Sequence, residues 1–258
     1  MQDRHVPAIG PYYWLVFAIA TIFGANMGDL LSQYLGLGSV GGMPILAVFL
    51  LVVLLLERLD GGSDSKAWYW AAIVLIPIAA TNLGDFAVSH GYSRRWLLAG
   101  LAILLVVTYF GGRSESEHLL AMRLLTRPGA AARPLTDASY WIAMIVASTL
   151  GPVLGDFGAY GLGLGPVESA AILLALLAAA FALYYVPNTN RQLLHWVTIV
   201  LIRGAGTSVA DVLVNDPRVD MGLLGSTAAA GAATLVLLLL WPAERPTRQT
   251  PRRDPVPR

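Results

Sequence analysis

The sequence has no cysteine and few charged residues, since only 13% of its 258 residues are Asp, Glu, Lys or Arg. Without cysteine the chain can form neither disulfides nor thiolate metal sites. A soluble domain averages about 25% charged residues, whereas 56% of this chain is hydrophobic and its mean hydropathy is +0.64. Its basic residues are spread over loops and ends, which leaves no basic patch for nucleic acid. The composition therefore predicts a polytopic, all-α membrane protein.

Eight apolar runs reach or approach the roughly 20 residues that a helix needs to span a bilayer. They lie near 11–34, 41–58, 66–89, 94–111, 138–161, 166–186, 191–214 and 220–242. The even-numbered runs are almost purely apolar inside, whereas the odd-numbered ones carry Trp, Gly, hydroxyl groups and one Asp each. We therefore expect the odd helices to be functional and the even helices to form a scaffold around them.

The odd runs share one pattern, a Trp followed fifteen residues later by an Asp. The four pairs are Trp14/Asp29, Trp70/Asp85, Trp141/Asp156 and Trp196/Asp211. Gly precedes the Asp in the first three pairs and Ala210 precedes it in the fourth. The pattern predicts four tandem two-helix repeats, arranged as two pseudo-symmetric four-helix halves about an axis normal to the membrane.

The intervals between the pairs predict how the chain is divided. Residues 11–112 form the first half with repeats 1 and 2, and residues 138–242 form the second half with repeats 3 and 4. Residues 113–137 are a linker with a short amphipathic helix over 115–126, opened by a capping box. Residues 243–258, rich in Pro and Arg, form a disordered basic tail.

The distribution of Lys and Arg predicts the orientation in the membrane. Thirteen of the seventeen lie at the ends of the chain or after even runs, three lie after odd runs, and Arg203 lies inside a run. Both termini are therefore expected in the cytoplasm. The odd helices then all run outward, with each Trp at the inner interface and each Asp in the outer half of the membrane.

Four carboxylates at one level predict a cation site, because carboxylates inside a membrane are costly and repel one another. Asn26 and Asn82 stand three residues before their Asp and complete the predicted metal site of Asp29, Asp85, Asp156 and Asp211. Hydroxyl groups in the same helices support it: Thr21, Thr81, Ser148, Thr207 and Ser208. An all-oxygen set of this kind suits hard cations such as Mn²⁺, Mg²⁺ or Ca²⁺. Whether the carboxylates form one site or two pairs is left open.

Arg203 is the one basic residue inside a span, two turns before Asp211. Two readings of it remain open. It serves as a coupling group or internal counter-ion when the cation site is empty, or it forms a structural pair with an Asp.

The Trp and Gly-Asp positions resemble a family of bacterial membrane-anchored proteins built from a four-fold repeat of unknown function. The resemblance covers about residues 11–242 and implies two transmembrane segments with a Trp in each repeat, in the bacterial inner membrane. A second, weaker likeness is to cation exporters with a repeated Glu-x-Gly-Asp motif. The matching segments here are Asn26-Met-Gly-Asp29 and Asn82-Leu-Gly-Asp85, with Asn in place of the first acidic residue.

The pattern as a whole predicts a transporter that exports a hard divalent cation, with Mn²⁺ as the first candidate. The alternative is a cation channel whose four repeats surround one pore with a ring of Asp. An intramembrane aspartyl enzyme or a regulatory membrane protein is less well supported, so no catalytic residue and no resident cofactor is expected. The expected partners are the lipid bilayer and an inorganic cation, and a homo-oligomer is left open.

Overall fold

The computed structural model describes residues 6–7, 9–34, 38–59, 65–126 and 138–241, with the side chains of 33–44, 57–66 and 112–137 excepted. The linker after residue 126 and the basic tail lie outside this range. The described residues form eight α-helices and one π-helical segment. They are α1 (Pro11–Tyr34), α2 (Gly38–Leu59), α3 (Ser65–Ser89), α4 (Arg94–Thr126), α5 (Ala138–Asp156), the π-helical Phe157–Gly161, α6 (Pro166–Leu183), α7 (Arg191–Asn215) and α8 (Gly222–Leu239).

Seven helices are long and apolar enough to cross a membrane, counted over the residues described. The segments are Pro11–Ser32, Ala67–Ser89, Arg94–Gly111, Ala138–Gly161, Pro166–Leu183, Arg191–Asn215 and Gly222–Leu239. Helix α2 contributes a shorter apolar stretch, Ile45–Leu56. The chain is therefore an all-helical, multi-pass membrane protein.

Helix α4 is longer than the sequence predicts. The fourth apolar run was expected to end at residue 111 and a separate short helix to follow over 115–126. Instead one continuous helix runs from Arg94 to Thr126. The predicted linker helix is thus the end of α4.

The odd-numbered helices form a closed ring, and we call α1, α3, α5 and α7 the inner helices. Contacts join α1 to α3, α3 to α5, α5 to α7, and α7 back to α1. Each outer helix packs mainly on the inner helix that follows it: α2 on α3, α4 on α5, α6 on α7, and α8 on α1. The outer helices expose large apolar side chains, including Phe49, Leu51, Ile103, Val107, Leu174, Leu176, Leu235 and Leu239. This agrees with the outer position that the sequence predicts for the even helices.

Glycine residues bring the inner helices into close contact. A Cβ added at Gly24 would lie 2.5 Å from Pro77 Cγ, and one at Gly28 would lie 3.1 Å from Thr81 Cβ. From the first contact to the second, the residue number rises by four in both helices, so α1 and α3 run in the same direction. A Cβ at Gly151 would collide with the Cβ of Arg203, and one at Gly206 would lie 2.6 Å from Thr21 Cγ2. Small residues allow such close helix contacts in membranes.

The same contacts have a constant stagger. Gly24, Gly151 and Gly206 each stand five residues before the Asp of their own helix. Each faces the residue eight positions before the Asp of the next helix: Pro77, Arg203 and Thr21 respectively. The glycines therefore set a common register, which aligns the N-terminal ends of the inner helices with one another, and their C-terminal ends likewise.

Gly151→Ala is expected to destabilise the protein strongly. Its new methyl group would also lie 2.8 Å from Gly204 N and Val200 O, which are backbone atoms. Overpacking of this kind costs about 1–3 kcal/mol or more. Unfolding of the purified protein by SDS in mixed micelles measures the change.

Gly84→Ala is the matched control, because the nearest atom to its new Cβ is Val153 Cγ2 at 3.6 Å. We expect its unfolding free energy to stay within about 0.5 kcal/mol of the parent protein. Equal stability of the two variants would contradict the packing role given to Gly151.

Candidate functional site

An aromatic layer closes the N-terminal end of the inner helices. It consists of the residue before each Trp, namely Tyr13, Tyr69, Tyr140 and His195. Each of these rings packs against the Trp of the next inner helix. The centroid distances are 5.5 Å for Tyr13–Trp70, 5.7 Å for Tyr69–Trp141, 5.5 Å for Tyr140–Trp196 and 5.5 Å for His195–Trp14. The four contacts form a closed circle.

Three members of this layer are also joined by hydrogen bonds. The hydroxyl groups of Tyr13 and Tyr69 are 2.6 Å apart, and those of Tyr69 and Tyr140 are 2.9 Å apart. His195 takes the fourth place, and its two ring nitrogens have no hydrogen-bond partner among the described residues. The ring contacts thus join all four members of the layer in a circle, whereas the hydrogen-bonded chain of hydroxyl groups includes only the three Tyr.

Sequence reasoning missed this layer, although its signal is plain. Trp was interpreted as an interface anchor, and the aromatic residue directly before it was not used. The dipeptide Tyr-Trp occurs at 13–14, 69–70 and 140–141, and His195-Trp196 replaces it in α7. All four of these Trp residues are less than 9% exposed. They pack inside the bundle, each in contact with an aromatic ring of the preceding inner helix.

One turn further along lies an apolar layer. Phe17, Ile73, Met144 and Ile199 each follow the aromatic layer by four residues, and each is 0% exposed. These side chains fill the space between the four inner helices. None of their surface is accessible to solvent in this conformation.

Arg203 lies at the next level and is completely buried. Its Nη1 donates a hydrogen bond to Thr21 Oγ1 at 2.9 Å, and its Nη2 donates one to the Ile73 carbonyl at 3.2 Å. The guanidinium lies 4.3 Å from the centroid of the Phe17 ring. The side chain thus crosses from α7 to α1 and α3, and its hydrogen bonds go to these groups and not to an Asp.

The four predicted aspartates lie together at the C-terminal end of the inner helices, and we call them the acidic group. Asp29 interacts electrostatically with Asp85, Asp156 and Asp211, and Asp85 also interacts with Asp156 and Asp211. Each Asp stands within five residues of the end of its helical segment. The carboxylates therefore lie near the end of the apolar bundle.

Two further residues border the acidic group. The Tyr160 hydroxyl donates a hydrogen bond to Asp211 Oδ2 at 3.4 Å. The Arg94 guanidinium lies 5.9 Å from the centre of the Tyr160 ring and interacts electrostatically with Asp85 and Asp156. Sequence reasoning treated Arg94 only as a topology signal and did not consider Tyr160.

The spacing of the four carboxylates limits how they could hold a metal ion in this conformation. Among the residues that the structure describes, no three His, Asp or Glu side chains come close enough to hold one metal ion. Of the two arrangements that the sequence leaves open, one site made by all four carboxylates finds no support in this conformation. The carboxylates lie at one end of the bundle and interact electrostatically with one another.

The predicted amide ligands face neighbouring helices. Asn26 donates from Nδ2 to Ser226 Oγ on α8 at 2.7 Å. Asn82 donates from Nδ2 to the Ile78 carbonyl at 2.9 Å and to the Gly28 carbonyl at 3.4 Å. The observed hydrogen bonds of these two amides thus connect neighbouring helices, or go to a backbone carbonyl one turn earlier in the same helix.

The predicted supporting hydroxyls are divided between two arrangements. Thr21 and Thr207 donate to backbone carbonyls of their own helices, and Ser208 Oγ lies 3.4 Å from Ser169 Oγ on α6. Thr81 Oγ1 and Ser148 Oγ are buried without a hydrogen-bond partner among the described residues. The structure places Thr21 and Arg203 in direct contact, which the sequence analysis did not predict.

A ring of inner helices that buries Arg203 and carries four aspartates at one end, surrounded by helices with exposed apolar side chains, is the architecture of a multi-pass membrane protein. The chain matches the family described as Repeat of Unknown Function (DUF347), over residues 12–59, 139–190 and 194–246. It therefore belongs to this tandem-repeat family, as the resemblance predicted. No curated protein and no solved structure matches the chain at a significant level.

Tyr69→Phe is expected to lower stability, because Tyr69 is the middle member of the hydroxyl chain and is only 2% exposed. Loss of its two hydrogen bonds should cost about 1–3 kcal/mol, from roughly 0.5–1.5 kcal/mol for each. Detergent unfolding monitored by Trp fluorescence checks this. Tyr92→Phe, at a position 65% exposed, is the control and should leave the transition unchanged.

Proposed function

We propose that this protein is a carrier that moves a cation across the membrane, with the acidic group as its entry or exit site. The observation that carries the proposal is the acidic group itself, with one Asp on each inner helix and all four in electrostatic contact. Intramembrane carboxylates are rare and are functional by default. Repulsion among four carboxylates favours the binding of a cation.

We further propose that the chain comprises four two-helix repeats and eight spans. The family match leaves out residues 60–138. That segment nevertheless contains Tyr69, Trp70 and Asp85, which take equivalent places in the aromatic layer and the acidic group. The cyclic packing of each outer helix on the next inner helix also supports four equivalent units.

The centre of the bundle favours a carrier over a channel. A cation that moved along the axis would meet Arg203 and then the four fully buried side chains of the apolar layer. A fixed positive charge on the path repels cations, and the apolar layer excludes water. Transport therefore requires rearrangement of the inner helices, and Arg203 is the group that the rearrangement must displace or neutralise.

Mn²⁺ is the first ion to test, with Mg²⁺ and Ca²⁺ next, because carboxylates suit hard cations. Since no three of the carboxylates come close enough to hold one ion, tight binding by three or more of them would require their side chains or helix ends to move together. Export, the bacterial inner membrane and cytoplasmic termini complete the proposal. The cytoplasmic termini rest on the distribution of Lys and Arg, whereas the bacterial inner membrane and export rest on the two resemblances given in the sequence analysis.

Asp29→Asn is expected to reduce Mn²⁺ flux at least tenfold, because Asp29 interacts with the other three carboxylates. Flux is measured in proteoliposomes that contain a trapped metal-sensitive dye, and Asp85→Asn should behave alike. Asp220→Asn is the control, since Asp220 lies in the α7–α8 turn with φ of 40°, a conformation that Asn tolerates. A Mn²⁺ flux equal to that of the parent protein in both Asp29→Asn and Asp85→Asn would contradict the proposal.

The channel alternative makes a different prediction. A carrier gives no unitary currents in a planar bilayer under a Mn²⁺ gradient, even when the same preparation transports Mn²⁺ in vesicles. Stepwise currents that disappear in Asp29→Asn would favour the channel. Addition of a pore-forming peptide at the end of each recording verifies that the bilayer reports single openings.

A further inference from the structure

The side chain of Arg203 carries a charge that no described side chain neutralises by contact. Arginine stays protonated in proteins. The two hydrogen bonds of this guanidinium go to a neutral hydroxyl, Thr21 Oγ1, and to a carbonyl, that of Ile73. The nearest acidic residue of its own helix, Asp211, lies eight positions away, which is about 12 Å along a helix. A buried charge of this kind calls for an anion in contact.

Two hydrogen-bonding groups at this level remain without partners. Arg203 Nε and Ser148 Oγ are both buried, and neither has a hydrogen-bond partner among the described residues. Arg203 and Ser148 are each 0% exposed. Buried donors left without acceptors are costly and uncommon. A ligand that accepts hydrogen bonds would satisfy both.

The register of the helices places Ser148 at the level of the guanidinium. Ser148 stands eight residues before Asp156, just as Thr21 stands eight residues before Asp29. Arg203 bonds to Thr21 on α1, so its guanidinium is at the level of this position in each inner helix. On α5, the residue that touches the base of the Arg203 side chain is Gly151, one turn from Ser148.

We propose that a small monovalent inorganic anion, for which chloride is the probe, binds between Arg203 Nε and Ser148 Oγ. One guanidinium charge matches one negative charge, and an N–H and an O–H donor suit an acceptor without donors of its own. The ion must be small because α5 and α7 are in backbone contact at Gly151 and Gly204. This site is separate from the acidic group and does not depend on cation transport.

The test is the thermal stability of the purified full-length protein in detergent, titrated with sodium chloride against sodium gluconate at constant ionic strength. A ligand that binds only the folded state raises the melting temperature with its concentration. We expect chloride to raise it and gluconate not to. Equal effects of the two salts on the parent protein would overturn the proposal.

Ser148→Ala locates the effect, because it removes one donor and keeps the buried charge. The half-saturating chloride concentration should rise about tenfold, as expected for the loss of one hydrogen bond to a charged group. Thr149→Ala is the matched control, since the Thr149 hydroxyl donates to Ile145 O of its own helix. Arg203→Gln should abolish the chloride response if it folds. Identical chloride titrations for Ser148→Ala and Thr149→Ala would overturn the site.

Discussion

The close contact of one inner helix with the next, at glycine, is the constraint on which the rest of the structure depends. In lipid, apolar side chains gain little by meeting one another, so helices associate where small residues let their backbones approach. Here Gly24, Gly151 and Gly206 meet the next helix with the same stagger. That stagger places the aromatic layer at one end of the bundle and the acidic group at the other. A change in the stagger would move the members of the aromatic layer apart and the members of the acidic group apart at the same time.

The Trp-to-Asp spacing predicts the inner helices and the end of the bundle that the aspartates share, because both follow from helical rise and hydropathy. It does not predict the partners of Asn26 or Arg203. Asn26 bonds to Ser226, which is 200 residues away on α8. Only the packing of α8 on α1 brings the two together, and spacing within one helix carries no information about it. The length of α4 was also missed, since the change from apolar to polar residues at 111–113 was interpreted as a helix end.

The Gly of the Gly-Asp pairs has a role that the sequence analysis did not assign. Gly28 and Gly155 lie against the next inner helix, at Thr81 and Ser208 respectively. The Gly thus sets the helix contact while the Asp after it supplies the charge. The two residues of the Gly-Asp motif therefore have separate roles, one in helix packing and the other in supplying a charged side chain.

The packing of α8 on α1 has a consequence for how the protein is made. The Tyr12 hydroxyl donates to the Leu237 carbonyl at 2.6 Å, and the Trp241 ring lies 5.3 Å from that of Tyr12 and 5.1 Å from that of Trp70. Helix α1 therefore packs against a helix that the ribosome synthesises after the six helices between them. Until α8 has been synthesised and inserted, the lipid must cover the face of α1 that α8 will bury. The bundle of α1 to α8 can close only after translation has passed α8.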